Sequence, residues 1–509
     1  MYQFSTAGVL ACAGLYVVLY ILLQITQDRK EPPPVATSIP FLDPLVGIFT
    51  EKVQYLIQLR DKYRLPITTI RLPFTRIYVV NQPALINTIQ RQGNAFAFQP
   101  VALEFGFLFS GITKKSQAIL RNAFSGMGNG FTAGVHKYLH TGSNLDMVSG
   151  AATDALSASV PGLAGQMNVG LLHTIQHDLA LALTDAMYGP QNPFRDPEVE
   201  ASWHDFVPGI KHLLYSPFPN ITAYRSLQAR LRVIAALQQY FRKGGHFQAF
   251  PMVREMFDGY MSHGLELEEA AKLDMATLLA MLSSGGIAAF WLMFRVLSNN
   301  VVLGNCRQEI LANLASNDTL TPDGRRVTVI DLSQLKSKCP TLMAMLNETL
   351  RYHSTVISAK NIREDFLLDG QYLLKKDAML MIPGPVVHYD AAIWGLDADL
   401  FNHRRFLFPA SARKRLVNTS NFRPFGAGVT MCPGRHFSTN AMVSLAAMML
   451  LQFDVKPKDG AWKIPSTNNA DLWNAMPKPD WDVEVDILPR KDAEAVEWKF
   501  VWGAQNSMG

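Results

Sequence analysis

The stretch that decides the fold is FGAGVTMCPGR, residues 425–435. Gly426 and Gly428 let the backbone turn tightly and approach a flat ligand closely, because glycine has no Cβ. A proline and Gly434 follow Cys432 and lead into a helical run, so the cysteine is expected at a helix N-terminus. There the free amides and the helix dipole favour a thiolate over a thiol. The segment therefore predicts a metal-binding or reactive cysteine; the alternative is a glycine-rich loop around an ordinary core cysteine.

A charged pattern precedes this segment in the chain. Glu348 and Arg351 stand three residues apart, which places them on one face of a helix. By itself the pair is weak evidence, since almost any exposed helix offers one. Arg405, in the stretch FNHRRF at 401–406, lies between the pair and Cys432.

The run from Asp274 to Leu297 contains no proline, and after Asp274 its only charged residue is Arg295. Its length and apolar character predict a central buried helix. Two hydroxyl groups and two glycines lie at its middle: Ser283, Ser284, Gly285 and Gly286. Residues 281–291 contain no carboxylate and no threonine. The serines could supply a hydroxyl, and the glycines suggest either a loosened helix beside a ligand or close helix packing.

The N-terminus predicts a membrane anchor. Residues 1–27 carry no charged side chain, and Ala7–Leu23 is nearly all apolar, at the short end of the ~17–25 residues that a spanning helix needs. A cleaved signal peptide is the weaker alternative, because no positive charge precedes the apolar run. Arg29 and Lys30 follow it, which places the rest of the chain in the cytosol. We expect an anchor at 1–27, a proline-rich hinge at 28–45 and a single catalytic domain at 46–509.

Composition excludes several other classes of protein. The chain has 509 residues, 48% of them hydrophobic, which is far too apolar for a disordered protein. The net charge of +5 comes without a basic tract interleaved with aromatics, so we expect no nucleic-acid partner. Four widely spaced cysteines argue against a zinc site or a disulfide framework.

The body of the chain is expected to be mostly helical with a small β part. Strands are predicted at 67–72 and 76–80, on either side of a turn at 73–75. Alternation around Asp369-Gly370 predicts a hairpin within 365–381, and the stretch 380–394 is expected to be irregular.

The cysteine segment resembles the cysteine loop of the cytochrome P-450 family, Phe-x-x-Gly-x-Arg-x-Cys-x-Gly. Phe425, Gly428, Cys432 and Gly434 match at the right spacing, while Thr430 stands where the family usually has Arg or His. The resemblance implies a mainly α fold with a small β part (α+β), preceded by one N-terminal transmembrane helix. It also implies haem (iron protoporphyrin IX) held by this loop, Gly426 included, with Cys432 as the iron ligand.

The same resemblance assigns roles to other residues. Glu348, Arg351 and Arg405 correspond to a buried ionic cluster behind the haem, although His403 replaces the usual proline. Lys360 is a candidate haem-propionate contact. Lys137, on a possible helix over 135–145, is another candidate, and either lysine could instead be a solvated charge.

Family members that activate dioxygen usually carry Ala-Gly-x-Asp/Glu-Thr in the central helix, and the acid and alcohol deliver protons. That pair is missing here, and Ser283, Ser284, Gly285 and Gly286 occupy the place. The chain looks most like the branch with sterol and bile-acid hydroxylases and prostacyclin synthase. Phe290-Trp291, the stretch Arg363–Phe366 with the hairpin after it, and a cysteine loop ending Cys-Pro-Gly-Arg support this.

These features predict a eukaryotic microsomal monooxygenase acting on a lipophilic terpenoid- or steroid-like polycycle. Electrons would come from a separate NADPH-dependent reductase, with cytochrome b5 as a possible additional partner. The expected location is the endoplasmic reticulum membrane, with one span and a cytosolic catalytic domain. Two alternatives stay open: a redox-neutral peroxide isomerase or dehydratase, for which the missing acid–alcohol pair would be no handicap, and a non-catalytic haem protein.

Overall fold

The computed structural model describes residues 6–124, 132–321, 325–408, 416–418, 420–471, 473–491 and 496–503. The chain divides into two compact units and passes from one to the other several times. The first unit is Met1–Ala102, Ser354–Leu400 and Lys414–Met431, and the second is Leu103–His353, Phe401–Arg413 and Cys432–Gly509. Residues 1–5 of the predicted anchor lie outside the described residues. The single catalytic domain at 46–509 stays a prediction.

Helices form most of the regular structure, as the predicted mainly α fold requires. In chain order they are α1 Thr6–Thr26, α2 Leu42–Thr50, α3 Val53–Tyr63, α4 Pro83–Arg91, α5 Gln99–Ser110, α6 Lys114–Phe124, α7 Thr132–Leu139, α8 Ser143–Ser159, α9 Leu171–Tyr188, α10 Pro197–Phe206, α11 Ile210–Tyr215, α12 Pro219–Thr222, α13 Tyr224–Arg242, α14 Pro251–Ser262, α15 Leu267–Leu282, α16 Gly285–Leu297, α17 Asn300–Leu314, α18 Leu335–Lys338, α19 Pro340–His353, α20 Gly384–His388, α21 Ala391–Trp394 and α22 Arg435–Gln452.

The β part is small. Its strands are β1 Ile67–Leu72, β2 Thr75–Val80, β3 Phe96–Ala97, β4 Gln166–Gly170, β5 Ala315–Leu320, β6 Arg326–Asp331, β7 Ile357–Ile362, β8 Phe366–Leu368, β9 Tyr372–Leu374, β10 Met379–Pro383, β11 Phe453–Pro457, β12 Glu484–Pro489 and β13 Val496–Val501.

The first unit is built on one mixed sheet with the strand order β1-β2-β10-β7-β3. β1 and β2 pair antiparallel from Ile67 opposite Val80 to Leu72 opposite Thr75, which confirms the predicted strands and turn. β10 runs parallel to β2 and antiparallel to β7. Ile67, Tyr78, Leu380 and other fully buried side chains of these strands form its core.

The predicted hairpin is confirmed but is shorter than expected. β8 and β9 pair antiparallel, and Asp369 and Gly370 turn between them at φ of 53° and 69°. Leu368 pairs with Tyr372, so the loop has three residues, of which Asp369 and Gly370 have the positive φ that aspartate and glycine tolerate in turns. The prediction that 380–394 is irregular was wrong, because the stretch contains β10, α20 and α21.

The second unit packs helices around α16. Every residue of α16 except Arg295 is buried, and the helix packs against α9, α17, α19 and α22. The guanidinium of Arg295 lies 4.5 Å from the ring centroid of Phe401 and 5.3 Å from that of Tyr352, so aromatic faces cover its charge. Two three-stranded sheets, β11-β12-β4 and β13-β6-β5, belong to the same unit.

Two predictions about helix continuity were wrong. The central run is not one helix, because α15 ends at Leu282 and α16 begins at Gly285, with Ser283 and Ser284 between them. The helix expected at 135–145 is also divided. α7 ends at Leu139 and α8 begins at Ser143, since Gly142 has a φ of 103° that no helix accommodates.

Among the described residues, one helical stretch is long and apolar enough to cross a membrane. That stretch is Leu267–Leu297, and 72% of its most apolar window is buried inside the protein, as expected of a core helix. Leu10–Thr26, within α1, is a shorter apolar helix with exposed side chains such as Leu10 and Ile25. The N-terminal apolar helix is therefore present, and its crossing of a membrane stays a prediction.

Candidate active site

The cysteine segment folds as its glycines predict. Gly426 and Gly428 adopt φ of 73° and 63°, a region that favours glycine, and a 3-10 turn follows at Gly428–Thr430. α22 begins directly after Gly434, so Cys432 stands just before the N-terminus of a long helix. Cys432 is a free thiol, and its backbone carbonyl accepts a hydrogen bond of 3.0 Å from the Arg435 side chain.

Two opposing influences act on the thiol of Cys432. Burial is the larger, and it raises the pKa of the thiol. The backbone N–H groups of Gly434 and Arg435 and the positive charge of Arg435 lower that pKa. The helix N-terminus therefore supplies the stabilisation of a thiolate that the sequence predicted, and burial opposes it.

Further basic side chains of the second unit surround Arg435. Burial, with a smaller contribution from Arg435, lowers the pKa of Lys336 to about 8. The Lys336 ammonium donates a hydrogen bond of 3.3 Å to the backbone carbonyl of His436. Burial first, and then Arg435, Lys336 and His140, lower the pKa of His436 to about 4, so its ring is neutral at physiological pH. Arg435 is the positive charge that acts on the Cys432 thiol, and Lys336 lies close enough to interact with Arg435. The sequence did not indicate Lys336, because it lies almost a hundred residues before Cys432.

The predicted ionic cluster is present. Arg351 makes a bidentate pair with the Glu348 carboxylate, at 2.8 and 2.7 Å from Nε and Nη2. Nε of Arg405 donates to the same carboxylate at 3.2 Å, and the backbone N–H of Asn402 donates to it at 2.7 Å. All three charged side chains are at most 5% exposed. Removal of one partner from such a buried network lowers the stability of the fold strongly, because the remaining charge is then buried without compensation.

The loop around His403, where the family usually has proline, still reaches this cluster. Residues His403–Phe406 form a 3-10 turn, and the Asn402 side chain caps it by accepting a hydrogen bond from the Arg404 N–H. The cap replaces the rigidity of proline, and Arg405 consequently reaches Glu348.

The central-helix residues Ser283 and Ser284 lie at a break, as the glycines after them suggested. A Cβ placed on Gly285 would stand 3.3 Å from Oγ of Ser438, on α22. A Cβ placed on Gly286 would stand 2.9 Å from Cγ of Gln176, on α9. The two glycines therefore permit close helix packing, and they bring the break next to the helix that begins after Cys432. The structure thus combines a break in the helix with close packing at the two glycines, and a ligand beside the break stays a prediction.

Ser284 has a partner that the sequence did not indicate. Its hydroxyl donates a hydrogen bond of 2.9 Å to Oδ1 of Asn474, and the Ser283 hydroxyl lies 3.5 Å from that of Ser284. Asn474 is only 7% exposed. No periodic pattern marks it, because it belongs to an irregular segment 190 residues further along the chain.

The two lysines predicted as propionate contacts differ in their surroundings. Lys360 lies on β7 in the first unit and is buried; burial, with Arg423 next, lowers its pKa. Arg423, missed by the sequence reasoning, is also buried, and burial lowers its pKa to about 10. Lys137 is exposed, and its ammonium pairs with Glu255 at 2.5 Å. The propionate roles of both lysines stay predictions.

The predicted site residues are thus divided between the units. Ser283, Ser284, Gly285, Gly286, Cys432, Gly434, Lys137 and the ionic cluster belong to the second unit. Phe425, Gly426, Gly428 and Lys360 belong to the first.

The residues present suit haem as a cofactor. Among the described residues, no group of three or more His, Cys, Asp or Glu side chains could hold a metal ion by itself. Haem needs only one protein ligand, and Cys432, with two backbone N–H donors and Arg435 beside it, has the chemistry of a thiolate ligand.

Comparison with known proteins identifies the class. Residues 284–482 match the family model for Cytochrome P450. A Cytochrome P450 monooxygenase, nodJ, of Hypoxylon pulicicidum is 29% identical over 93% of this chain and 92% of its own. A Cytochrome P450 monooxygenase of Gibberella zeae is 24% identical over 97% of this chain and 96% of its own. A cholesterol 7-alpha-monooxygenase of Cricetulus griseus is 27% identical over 42% of this chain and 44% of its own.

Together, these similarities support the prediction that the chain is a member of the cytochrome P450 family. It is accordingly a haem enzyme and an oxidoreductase of the monooxygenase type. The predicted mainly α fold with a small β part is confirmed, and so are the family and the haem cofactor. The predicted resemblance to sterol hydroxylases agrees with the similarity to the cholesterol 7-alpha-monooxygenase of Cricetulus griseus.

Proposed function

We propose that this enzyme hydroxylates or oxidatively rearranges a lipophilic polycyclic metabolite of terpenoid or steroid type, with Cys432 as the haem ligand. One observation carries the proposal. The helix that starts after Cys432 contacts the break in the central helix, through Ser438 and Gly285, within a single compact unit. A cysteine ligand and a polar break in an otherwise apolar helix are thereby held in fixed relation.

The side chains and backbone groups of the protein would bind the cofactor and stabilise charge around it. Haem, when bound, supplies the iron at which dioxygen is activated. The backbone N–H groups of Gly434 and Arg435 stabilise negative charge on the Cys432 sulfur. In the first unit, Lys360 and Arg423 are neighbouring buried cations, which suit a carboxylate such as a haem propionate. Glu348, Arg351 and Arg405 hold α19 and the Asn402 loop together.

The substrate class follows from the apolar helix and from the relatives. α16 presents almost only apolar side chains, so a polar substrate would lose its hydration without compensation. A cholesterol 7-alpha-monooxygenase is among the similar proteins, and cholesterol is a lipophilic polycycle. We infer that electrons come from a separate NADPH-dependent reductase, with cytochrome b5 as a possible additional donor.

One observation favours a redox-neutral peroxide isomerase or dehydratase instead. Residues 281–291 have no carboxylate and no threonine, and a substrate with its own O–O bond would not need them. The relatives over nearly the full chain are named monooxygenases, which favours the first function and also argues against a non-catalytic haem protein.

The ligand assignment is tested by the spectrum of the reduced enzyme with carbon monoxide. Cys432→Ala is expected to abolish the band characteristic of thiolate ligation. Cys306→Ala, a change at another buried cysteine, should keep it. A normal band in the Cys432 variant would refute the assignment.

The reaction is tested in microsomes with added reductase and a panel of sterols, terpenoids and lipid hydroperoxides, read by mass spectrometry. A product heavier by one oxygen, formed only with NADPH, supports the proposal. A product of unchanged mass, or one lighter by water, formed without NADPH, supports the isomerase or dehydratase.

We further propose that the enzyme is held at the endoplasmic reticulum membrane by α1, with one span and the catalytic part in the cytosol. A second apolar surface consists of Tyr215, Phe218, Ile221 and Tyr224, which are 47–77% exposed. Deletion of residues 1–27 should leave haem bound and weaken membrane attachment. If the deleted protein still sediments with membranes, adding Phe218→Ser and Ile221→Ser should release it.

A further inference from the structure

We propose that Asn474 is a positioning residue that orients the Ser284 hydroxyl, so that a serine–amide pair stands in the place of the missing acid–alcohol pair. The inference rests on the proposed function. It adds to that function a residue from the C-terminal part of the chain, contributed by the segment Asn474–Pro477.

The Ser284 side chain does not cap the helix that follows it, although its position would suggest that role. A serine directly before a helix usually caps it, accepting a hydrogen bond from an N–H of the first turn. Ser284 stands directly before α16, but its side chain makes no capping hydrogen bond. Its backbone carbonyl accepts from the Ala288 N–H at 2.9 Å, so the helix starts normally without the hydroxyl. The hydroxyl instead donates to Asn474.

The Asn474 amide is held in place from two sides. Its Oδ1 accepts a hydrogen bond of 3.3 Å from the Met476 N–H as well as the one from Ser284. Nε1 of Trp291, two turns along α16, donates to the Pro477 carbonyl at 2.9 Å. Trp291 is fully buried, so this hydrogen bond is shielded from water. The segment is therefore fastened to the same helix at two points, and the amide oxygen has a defined position over Ser284.

The pair lies where the chemistry is expected. Gly285, the next residue, approaches Ser438 near the start of the helix that follows Cys432. Ser283 and Ser284 are the polar side chains of the break, and both are partly accessible although the residues of α16 that follow are buried. A hydroxyl here can accept a hydrogen bond from water at Oγ while its own proton is donated to Asn474.

An amide differs from an acid in one chemical respect. Asn474 accepts the Ser284 proton in a hydrogen bond, which fixes the direction of the hydroxyl, but the amide has no acidic proton to supply. Each new proton must then come from water. Asn474→Asp keeps an acceptor oxygen in the same place and adds a group that can carry a proton, whereas Asn474→Leu removes the acceptor.

The first test uses the infrared stretching band of carbon monoxide bound to the reduced holoenzyme, which reports polar groups facing the bound gas and needs no substrate. The wild type should give one narrow band. Ser284→Ala should shift it, and Asn474→Leu should broaden or split it, since the hydroxyl then samples several directions. Asn474→Asp should restore a single band whose position changes with pH. Asn440→Leu, the same change at another buried asparagine that is hydrogen-bonded to a serine, Ser149, is the matched control and should keep a narrow band.

A second readout is the hydrogen peroxide released per NADPH by the enzyme with reductase. It should rise about tenfold in Asn474→Leu, the effect of losing one neutral hydrogen bond, and fall towards the wild-type level in Asn474→Asp. If Ser284→Ala does not fold, Ser284→Thr takes its place in the test. This variant keeps the hydroxyl and should behave as the wild type does.

The proposal is overturned if the carbon monoxide band is the same in the wild type, Ser284→Ala and Asn474→Leu. It is also overturned if Asn440→Leu broadens the band as much as Asn474→Leu does. Failure of the proposed function has a different signature, namely a band that responds as expected in an enzyme whose products form without NADPH.

Discussion

Two polar regions interrupt the apolar core of the second unit, and they are built in opposite ways. In the ionic cluster, Glu348 is fully buried and receives donors from Arg351, Arg405 and a backbone N–H. At the helix break, Ser284 is partly accessible and its side chain is held by a neutral hydrogen bond to Asn474, with the Ser283 hydroxyl 3.5 Å away. Charges removed from water need every partner in place, whereas a hydroxyl close to water can change partner at small cost. The first arrangement suits stability and the second suits chemistry.

The largest expected effect comes from breaking the cluster. Glu348→Gln leaves two buried guanidinium groups without their carboxylate, so the free energy of unfolding should fall by roughly 3–5 kcal/mol. The measurement is denaturant unfolding of the purified enzyme, together with its haem content. Glu364→Gln, at an exposed carboxylate, is the control and should change stability very little. Equal stability of the two variants would show that the cluster does not hold the unit together.

A buried carboxyl on α15 extends the comparison, because tyrosine and threonine hydroxyls bond it rather than arginines. Burial raises the pKa of Asp274 to about 7, although hydrogen bonds from Tyr188 and Thr277 act in the opposite direction. The folded state therefore keeps a proton that the unfolded state loses near pH 4. This stabilisation is complete below pH 4 and is lost as the pH rises through about 7.

Asp274→Asn should remove that decline, with a gain relative to the wild type on the order of 4 kcal/mol at pH 8, because the folded and unfolded pKa values differ by about three units. Unfolding free energies of the variant and the wild type between pH 4 and pH 8 provide the measurement. Parallel pH profiles would mean that Asp274 stays ionised in the folded enzyme.

A smaller effect is expected from filling the close contact at the break. Gly286→Ala places a Cβ 2.9 Å from Cγ of Gln176, a position too near the backbone to move freely, and should cost about 1–2 kcal/mol of stability. Gly304→Ala, on α17 with nothing within 4 Å of the new Cβ, should stabilise the enzyme slightly through helix propensity. Thermal unfolding of both variants decides whether packing or helix propensity dominates at Gly286.

The smallest effect on stability is expected at Ser284 itself. Ser284→Ala loses one neutral, partly accessible hydrogen bond, so the free energy of unfolding should fall by no more than ~1 kcal/mol. A loss as large as that of Glu348→Gln would erase the distinction between the two regions, since the break would then be structural. Calorimetry on the same samples used for the carbon monoxide spectra measures both properties together.

Local patterns in the sequence predicted much of the fold. The stretches before and after Pro73 predicted β1 and β2, with β2 beginning one residue earlier than expected, and Asp369-Gly370 predicted its hairpin. Glu348 and Arg351 lie on one turn of helix, so their pairing was visible as well. The glycines after Ser284 suggested a loosened helix, but the position of the break directly after Leu282 was not visible, because Ser283 and Ser284 are compatible with a continuous helix in isolation. Contacts of the following glycines with α9 and α22 accompany the break.

What the sequence by itself determined is the family, the cysteine loop and the residues whose geometry depends on near neighbours. Glycine conformation, helix periodicity and strand alternation depend on residues close together in the chain, so they can be predicted without the tertiary structure. Only the tertiary structure decided which distant groups meet: Arg405 with Glu348, Lys336 with Arg435, and Asn474 with Ser284. A hydrogen bond or charge contact between residues far apart in the chain depends on how the whole core packs, and no spacing in the sequence records it.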